Sequence, residues 1–274
     1  MSELSQSSRA TLNNGVKIPL LGLGVFQVPN EVARVTSLKA FELGYRHVDT
    51  AAYYQNEEGV GRAVRESGLA REEVFVTTKL WNTDHGFKET LAACDRSLRA
   101  LGLEYVDLYL VHWPKGERTE TWRAMERILD EGKARTIGVS NYLPRHLDET
   151  IANASVVPAV DQVELSPFLT QKELRSYARS KGIVIEAFSP LTRGRKLADP
   201  RLLEMAKKYG RTPAQMLIRW SLQKGLVVLP KTVSEERLRE NAAVFDFSIT
   251  ESDEETMDDW NEELHTTWNP ADIP

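Results

Sequence analysis

Residues 74–112 read VFVTTKLWNTDHGFKETLAACDRSLRALGLEYVDLYLVH, and the order of apolar and polar positions in this stretch decides the fold. Val74 to Thr78 is a short apolar run rich in β-branched residues, which suits a strand buried on both faces. Glu89 to Leu101 then carries apolar side chains at the three- and four-residue spacing of an amphipathic helix. Gly102 stands where that helix needs a left-handed cap, and Val106 to Val111 is a second buried strand. Strand, helix, glycine and strand in this order form a βαβ unit, whose two strands run parallel because the helix carries the chain back along the sheet.

The unit recurs on both sides of this stretch. Further apolar runs of strand length are His47-Val48, Thr136 to Val139, Ala159 to Val163, Ile183 to Phe188 and Leu226 to Leu229, with Leu20 to Leu23 supplying the first of eight. Amphipathic stretches lie between them at Glu31 to Leu43, Glu58 to Ser67, Thr121 to Glu131, Gln171 to Lys181 and Pro213 to Gln223, several followed by a glycine. Eight such units close into a (β/α)8 TIM barrel, whereas a doubly wound open sheet more often uses fewer strands. Ahead of the barrel, Ala10 to Leu12 and Val16 to Ile18 flank Asn13-Asn14-Gly15 and read as a β-hairpin. No Pro-, Gly- or Ser-rich stretch divides the 274 residues, so the expectation is one domain, with residues 1–8 disordered and residues 265–274 a short tail over the barrel mouth.

A hydrophobic content of 41% and a charged content of 27% are those of a globular enzyme. The net charge of −5 argues against a nucleic-acid or anionic-membrane surface, while leaving room for a local pocket for a small anion. Cys94 is the lone cysteine and reads as a small buried hydrophobe. The polar start, Met1 to Ser8, lacks the basic and apolar segments of a signal peptide, and no stretch approaches the ~20 apolar residues of a membrane span. A cytoplasmic protein is expected, and a monomer, because no exposed interface signal is evident.

Polar residues recur where the apolar runs end: Asp49, Lys79, His112, Ser140-Asn141, Gln162 and Lys231. Barrel enzymes assemble their sites on that face. A tyrosine, with an ordinary pKa near ~10, serves as an acid at neutral pH only beside a group that stabilises phenolate. Lys79 is such a group, expected to depress the tyrosine by roughly 1–3 units, with Asp49 holding the lysine charged and His112 donating to a substrate carbonyl. Chemistry alone leaves the choice between Tyr53 and Tyr54 open. None of these side chains donates hydride, so a redox role requires an external nicotinamide or flavin. Gly22-Leu23-Gly24 is followed by Gln27 where a dinucleotide fingerprint needs its third glycine, which argues against a Rossmann fold. His47 and Asp49 could supply two metal ligands, but strand alternation explains their spacing and no metal is expected. Two other readings stay open: a Schiff-base aldolase using Lys79, and a cofactor-sensing barrel with little turnover.

The segments Gly44 to Glu57 (GYRHVDTAAYYQNE), Val76 to Asn82 (VTTKLWN), Asp107 to Pro114 (DLYLVHWP), Ile137 to Asn141 (IGVSN), Val228 to Thr232 (VLPKT) and Arg239 to Asn241 (REN) closely resemble aldo-keto reductases. The likeness is nearest to bacterial 2,5-diketogluconic acid reductases and related small-carbonyl reductases. The resemblance implies a catalytic tetrad of Asp49, Tyr54, Lys79 and His112, because the family places its acid five residues after the aspartate; Tyr53 becomes a pocket wall. It also implies Ser140, Asn141 and Gln162 on a nicotinamide carboxamide, Phe188 stacked on the ring, and Val25, Phe26, Ser189, Leu191 and Val233 as further cofactor contacts. Lys231, Thr232 and Arg237 would meet a 2′-phosphate, with Glu240 and Asn241 near the adenine. The implied cofactor is NADPH, with NADH a weaker alternative because Ser234 stands where relatives often carry arginine. Phe26, Tyr53, Trp81, Trp113 and Trp268 would wall the substrate pocket, while Trp122, Trp220 and Trp260 read as packing. Small aldehydes, dicarbonyls or keto-sugars fit the short tail better than steroids do.

Overall fold

The computed structural model describes residues 4–273. Two short antiparallel strands, β1 (Arg9–Thr11) and β2 (Lys17–Pro19), form the expected hairpin. Its turn docks through Asn13 Nδ2 on Pro158 O at 3.1 Å and Asn14 Nδ2 on Arg135 O at 3.0 Å, residues that precede barrel strands. The hairpin therefore lies across the N-terminal end of the barrel.

Strands and helices then alternate: β3 (Leu23–Gly24), α1 (Asn30–Glu42), β4 (His47–Asp49), α2 (Glu57–Glu66), β5 (Phe75–Leu80), α3 (Phe87–Leu101), β6 (Leu108–Val111) and α4 (Arg118–Asp130). The second half runs β7 (Ile137–Ser140), α5 (Pro144–Ala152), β8 (Val160–Glu164), α6 (Lys172–Ser180), β9 (Val184–Phe188), α7 (Pro200–Tyr209), α8 (Pro213–Gln223), β10 (Val227–Leu229), α9 (Glu235–Ala242) and α10 (Glu251–Asp258). β3 to β10 pair in sequence order, all parallel. Gly22 N to Val228 O at 2.9 Å, Val228 N to Leu20 O at 2.8 Å and Gly24 N to Pro230 O at 3.2 Å join the two edges, so the sheet closes into the (β/α)8 barrel.

Besides α9, which follows the cap Ser234, three helices lie outside the amphipathic stretches named above. α7 carried a full set of signals: Asp199 accepts from Arg201 N at 3.0 Å, Pro200 occupies the first turn, and Gly210 takes the left-handed cap at φ 62°. α5 is only nine residues long and buries just His146, Leu147 and Thr150, too few positions to establish a period. α10 is capped by Thr250, whose hydroxyl accepts from Asp253 N. Residues 4–8, expected to be disordered, form a turn in which Gln6 Nε2 donates to Leu43 O at 2.7 Å and Leu4 packs on the core; residues 1–3 lie outside the described residues. Trp122, Trp220, Trp260 and Cys94 are buried in the core.

At the N-terminal end, the Asp107 carboxylate is 1% exposed and accepts from Arg71 Nη2 at 2.7 Å, Arg135 Nη1 at 2.9 Å and Val76 N at 2.9 Å. Asp107→Ala strands the half-buried Arg71 and the Val76 amide together. It should lower stability by about 3–5 kcal/mol, roughly 10 °C in melting temperature, with kcat unchanged in protein that remains folded. Equal melting temperatures would show that this cluster carries no net stability.

At the opposite end, Glu164 of β8 ties down the tail. Its carboxylate accepts from Thr266 N at 2.9 Å, Thr267 N at 3.2 Å and Thr267 Oγ1 at 2.9 Å, and from the Thr266 hydroxyl. The tail consequently crosses the C-terminal mouth of the barrel.

Candidate active site

Lys79 projects from β5 into the barrel with no solvent exposure. Its Nζ donates to Asp49 Oδ1 at 2.6 Å and Thr50 O at 2.8 Å, both from the end of β4, and lies 3.4 Å from Tyr54 Oη. Tyr54 sits on the 3₁₀ turn Ala52–Tyr54, closed by Gln55 in the left-handed region at φ 57°. Buried Asn56 fixes this turn: its Nδ2 donates to Val25 O and Val28 O, both at 2.9 Å, and its Oδ1 accepts from Thr50 Oγ1 at 2.6 Å. The Tyr54 ring packs 4.9 Å from Phe26 and 5.7 Å edge-on from His112. The four residues picked out at strand ends and by resemblance thus meet in one place.

Burial works against the Lys79 charge, yet Asp49 and Tyr54 hold its pKa above the ordinary lysine value. An ammonium so held is no nucleophile, which argues against the Schiff-base reading. Burial raises Tyr54 above the ordinary tyrosine value and Lys79 pulls the other way without reversing it. The expected net depression is therefore corrected: the hydroxyl stays protonated at neutral pH, and Lys79 moderates a rise that burial dominates. Burial and Lys79 push His112 well below the usual histidine range, so the imidazole is neutral. Its Nδ1 is sealed from solvent without a hydrogen-bond partner among the described residues, leaving Nε2 as the nitrogen able to meet a ligand.

The next strands carry a second polar group. Ser140 Oγ donates to Gln162 O at 2.7 Å, and Asn141 Nδ2 donates to His112 O and Ser140 Oγ, both at 3.0 Å. Asn141 adopts φ 63°, a left-handed turn that returns its side chain toward β6. Gln162 Nε2 donates to Asp49 Oδ2 at 2.8 Å and Glu186 Oε2 at 2.6 Å. With its nitrogen turned to both carboxyl groups, the amide leaves Oε1 free to face a ligand.

One cleft of about 670 Å³ joins Asp49, Tyr54 and His112 to Ser140, Asn141, Gln162 and Phe188, and continues past Ser189 and Leu191 to Lys231, Thr232, Arg237, Glu240 and Asn241. Phe26, Tyr53, Trp81, Trp113 and Trp268 line it as well. Tyr53 stacks on Trp81 at 3.9 Å, and Trp113 meets Trp268 at 5.7 Å. Two anticipated contacts lie elsewhere. Val25 is fully buried behind the wall, serving Asn56 through its carbonyl, and Val233 points outward, half exposed.

Arg193 was missed, although it lines the cleft and links Gln27 Oε1 at 3.1 Å to Thr266 O at 3.4 Å. Glu164 and Glu186 were missed too; for Glu186 the signal was present, a carboxylate inside the otherwise apolar run Ile183 to Phe188, whereas Glu164 ends a strand that already holds Asp161 and Gln162.

A parallel barrel whose C-terminal mouth gathers a tyrosine, a buried cation and a neutral imidazole beside a long cleft has the layout of a barrel enzyme. The model of the aldo/keto reductase family matches residues 20–262, and the chain belongs to this family. It is 48% identical over 264 residues to the glyoxal reductase of Bacillus subtilis, covering 96% of each chain. Among solved structures, an aldo/keto reductase from Brucella melitensis superposes with a TM-score of 0.90 at 43% identity, over 93% of this chain and 100% of that one. The Bombyx mori aldo-keto reductase, solved in complex with NADP, gives a TM-score of 0.89 at 34% identity, over 96% of this chain and 95% of that one. The protein is an oxidoreductase acting on carbonyl groups. No helix among the described residues is long and apolar enough to cross a membrane.

Proposed function

We propose that the chain reduces small aldehydes, dicarbonyls or keto-sugars to alcohols with NADPH, Tyr54 donating the proton, as a cytoplasmic monomer. The observation that carries this reading is the chain of contacts from Asp49 through Lys79 to Tyr54 Oη, which opens on the cleft beside a neutral His112.

The residues present fit a nicotinamide dinucleotide. Gln162 Oε1 and Asn141 Oδ1 are left as acceptors once their amide hydrogens are used, which suits a carboxamide NH₂. Among the described residues, neither Lys231 nor Arg237 has a carboxylate at ion-pair distance, whereas nearby Arg239 is paired with Glu235 at 2.7 Å. Two uncommitted cations at one end of the cleft suit a 2′-phosphate. Thr232 Oγ1 accepts from Ser234 N at 3.1 Å and keeps its own hydrogen to donate. Ser234 caps α9 through Arg237 N at 3.4 Å and adds no charge, so NADH remains the weaker alternative.

The bound dihydronicotinamide supplies the hydride. His112 Nε2 donates to the substrate oxygen, and Tyr54 passes its proton to that oxygen as negative charge develops there. Lys79 then faces a tyrosinate, and Asp49 keeps the lysine charged for that moment. Tyr53 and Trp268 remain 49% and 62% exposed, so the outer wall is shallow and suits small substrates.

The test is NADPH oxidation with glyoxal, the compound named for the Bacillus relative, beside an aromatic aldehyde and a keto-sugar. Turnover on none of them, with NADPH bound, would favour the sensing barrel instead. In the Lys231→Ala/Arg237→Ala double variant, the Kd for NADPH should rise about 10- to 100-fold with that for NADH unchanged. Equal losses for both nucleotides would move the 2′-phosphate elsewhere.

A further inference from the structure

Beneath the tetrad lies a second carboxyl group that the mechanism does not use. Glu186, in the middle of β9, is completely buried. Its Oε2 accepts from Gln162 Nε2 at 2.6 Å, the same nitrogen that donates to Asp49 Oδ2, and its Oε1 has no hydrogen-bond partner among the described residues. Two acids therefore share one amide and one cation. Only Asp49 has that cation, Lys79, at ion-pair distance. Glu186 has instead the imidazole of His47, its Nε2 3.7 Å away, which burial and Lys79 push down to about 3 and thus keep neutral. An acid without a counter-charge in a dry interior keeps its proton.

We propose that Glu186 is a positioning residue with a charge switch: it holds Gln162 turned so that Oε1 faces the nicotinamide site, and its ionisation adds a negative charge beneath that site. This rests on the nicotinamide reading above. The oxidised nicotinamide is a cation and the reduced one is neutral. A carboxylate formed at Glu186 therefore strengthens binding of NADP⁺ and leaves binding of NADPH nearly unchanged. It also opposes tyrosinate, since Glu186 already acts to raise Tyr54. Ionisation thus favours the oxidised cofactor and disfavours departure of the Tyr54 proton.

The groups facing Glu186 are Asp49 and His47 from β4, Lys79 from β5 and Tyr54 from the following turn; β8 contributes Gln162, and β10 places apolar Val227 in register. His47 titrates far below neutrality, Lys79 and Tyr54 lie above their ordinary values, and Asp49, raised by burial against the pull of Lys79, is the acid held by that cation. Glu186, raised to about 8 by burial and by Asp49, is the acid of the two without a cation at ion-pair distance.

The test measures Kd for NADP⁺ and for NADPH from pH 6.5 to 9.5 in the wild type and in Glu186→Gln and Glu186→Met. Taking the ratio cancels titration of the nucleotide phosphates, which both forms share. In the wild type, Kd(NADP⁺)/Kd(NADPH) should fall on the order of tenfold with rising pH, and in both variants it should stay flat. A flat wild-type ratio, or an equal fall in the variants, overturns the proposal. Melting temperature of the free protein supplies a readout that needs no nucleotide. A native pKa of about 8 against the ordinary 4.5 means the folded state holds a proton the unfolded chain releases. That contribution is fully present below about 4.5, is lost as pH rises through about 8, and should be absent in Glu186→Gln. If neither nucleotide binds, the cofactor reading fails and the switch with it, while the melting contrast still reports the buried proton.

Discussion

Replacing Tyr54 with phenylalanine should lower kcat for carbonyl reduction by about 10²- to 10⁴-fold while leaving the Kd for NADPH within about twofold. The separation of the two effects follows from the geometry. The substitution removes only Oη, which touches Lys79 Nζ at 3.4 Å, and keeps the ring that packs on Phe26 at 4.9 Å and His112 at 5.7 Å. Ser140, Asn141, Gln162, Lys231 and Arg237, the proposed cofactor residues, depend on none of these contacts. Burial already keeps the hydroxyl protonated at neutral pH, so the wild type begins each reduction with the acid in its competent form. Single-turnover rates at saturating NADPH, beside nucleotide titration by fluorescence quenching, check both parts. Retention of turnover within about tenfold would remove Tyr54 as the acid, and joint loss of binding would mean that the turn carrying it had moved.

How far this site was legible depended on what each residue signals locally. Lys79 and His112 stood out because each is a polar residue ending an apolar run, and a parallel barrel sends every such end to the same mouth. The spacing that separates Tyr54 from Tyr53 has no local physical cause. Both follow the same strand, and only the turn closed by Gln55 and pinned by Asn56 sends one inward and leaves the other 49% exposed on Trp81. Family likeness was needed there. The sign of the net Tyr54 shift was misjudged for a related reason: the charge of a neighbouring lysine is visible in sequence, but the depth of burial that opposes it is a property of the closed barrel. Glu186 and Glu164 show the reverse failure. A carboxylate within Val184 to Phe188 is an evident anomaly in a buried strand, and Glu164 closes a strand that also holds Asp161 and Gln162, yet the partners of the two glutamates, Gln162 and the tail threonines, come from other units and appear only when the sheet closes.

Lys79→Met should cost both activity and stability, and the two losses can be pulled apart. For activity, the ammonium 3.4 Å from Tyr54 Oη stabilises the tyrosinate left by proton transfer. With an effective dielectric near 20, that attraction is about 5 kcal/mol, so kcat should fall by roughly three to four decades. For stability, the substitution leaves Asp49 buried with Gln162 as its one remaining side-chain donor. Burial then raises the Asp49 pKa without opposition from Lys79. The sign follows: the variant is most stable where both folded and unfolded chains keep that proton, and loses stability as pH rises toward the elevated native value. Its melting temperature should consequently drop more steeply with rising pH than that of the wild type, in which Lys79 opposes the rise that burial imposes on Asp49. Adding Asp49→Asn removes the orphaned charge, so the double variant should recover most of the melting temperature at pH 8 and none of the turnover. Recovery of turnover in the double variant would show that Lys79 serves the fold alone, and that Tyr54 delivers its proton without the cation beside it.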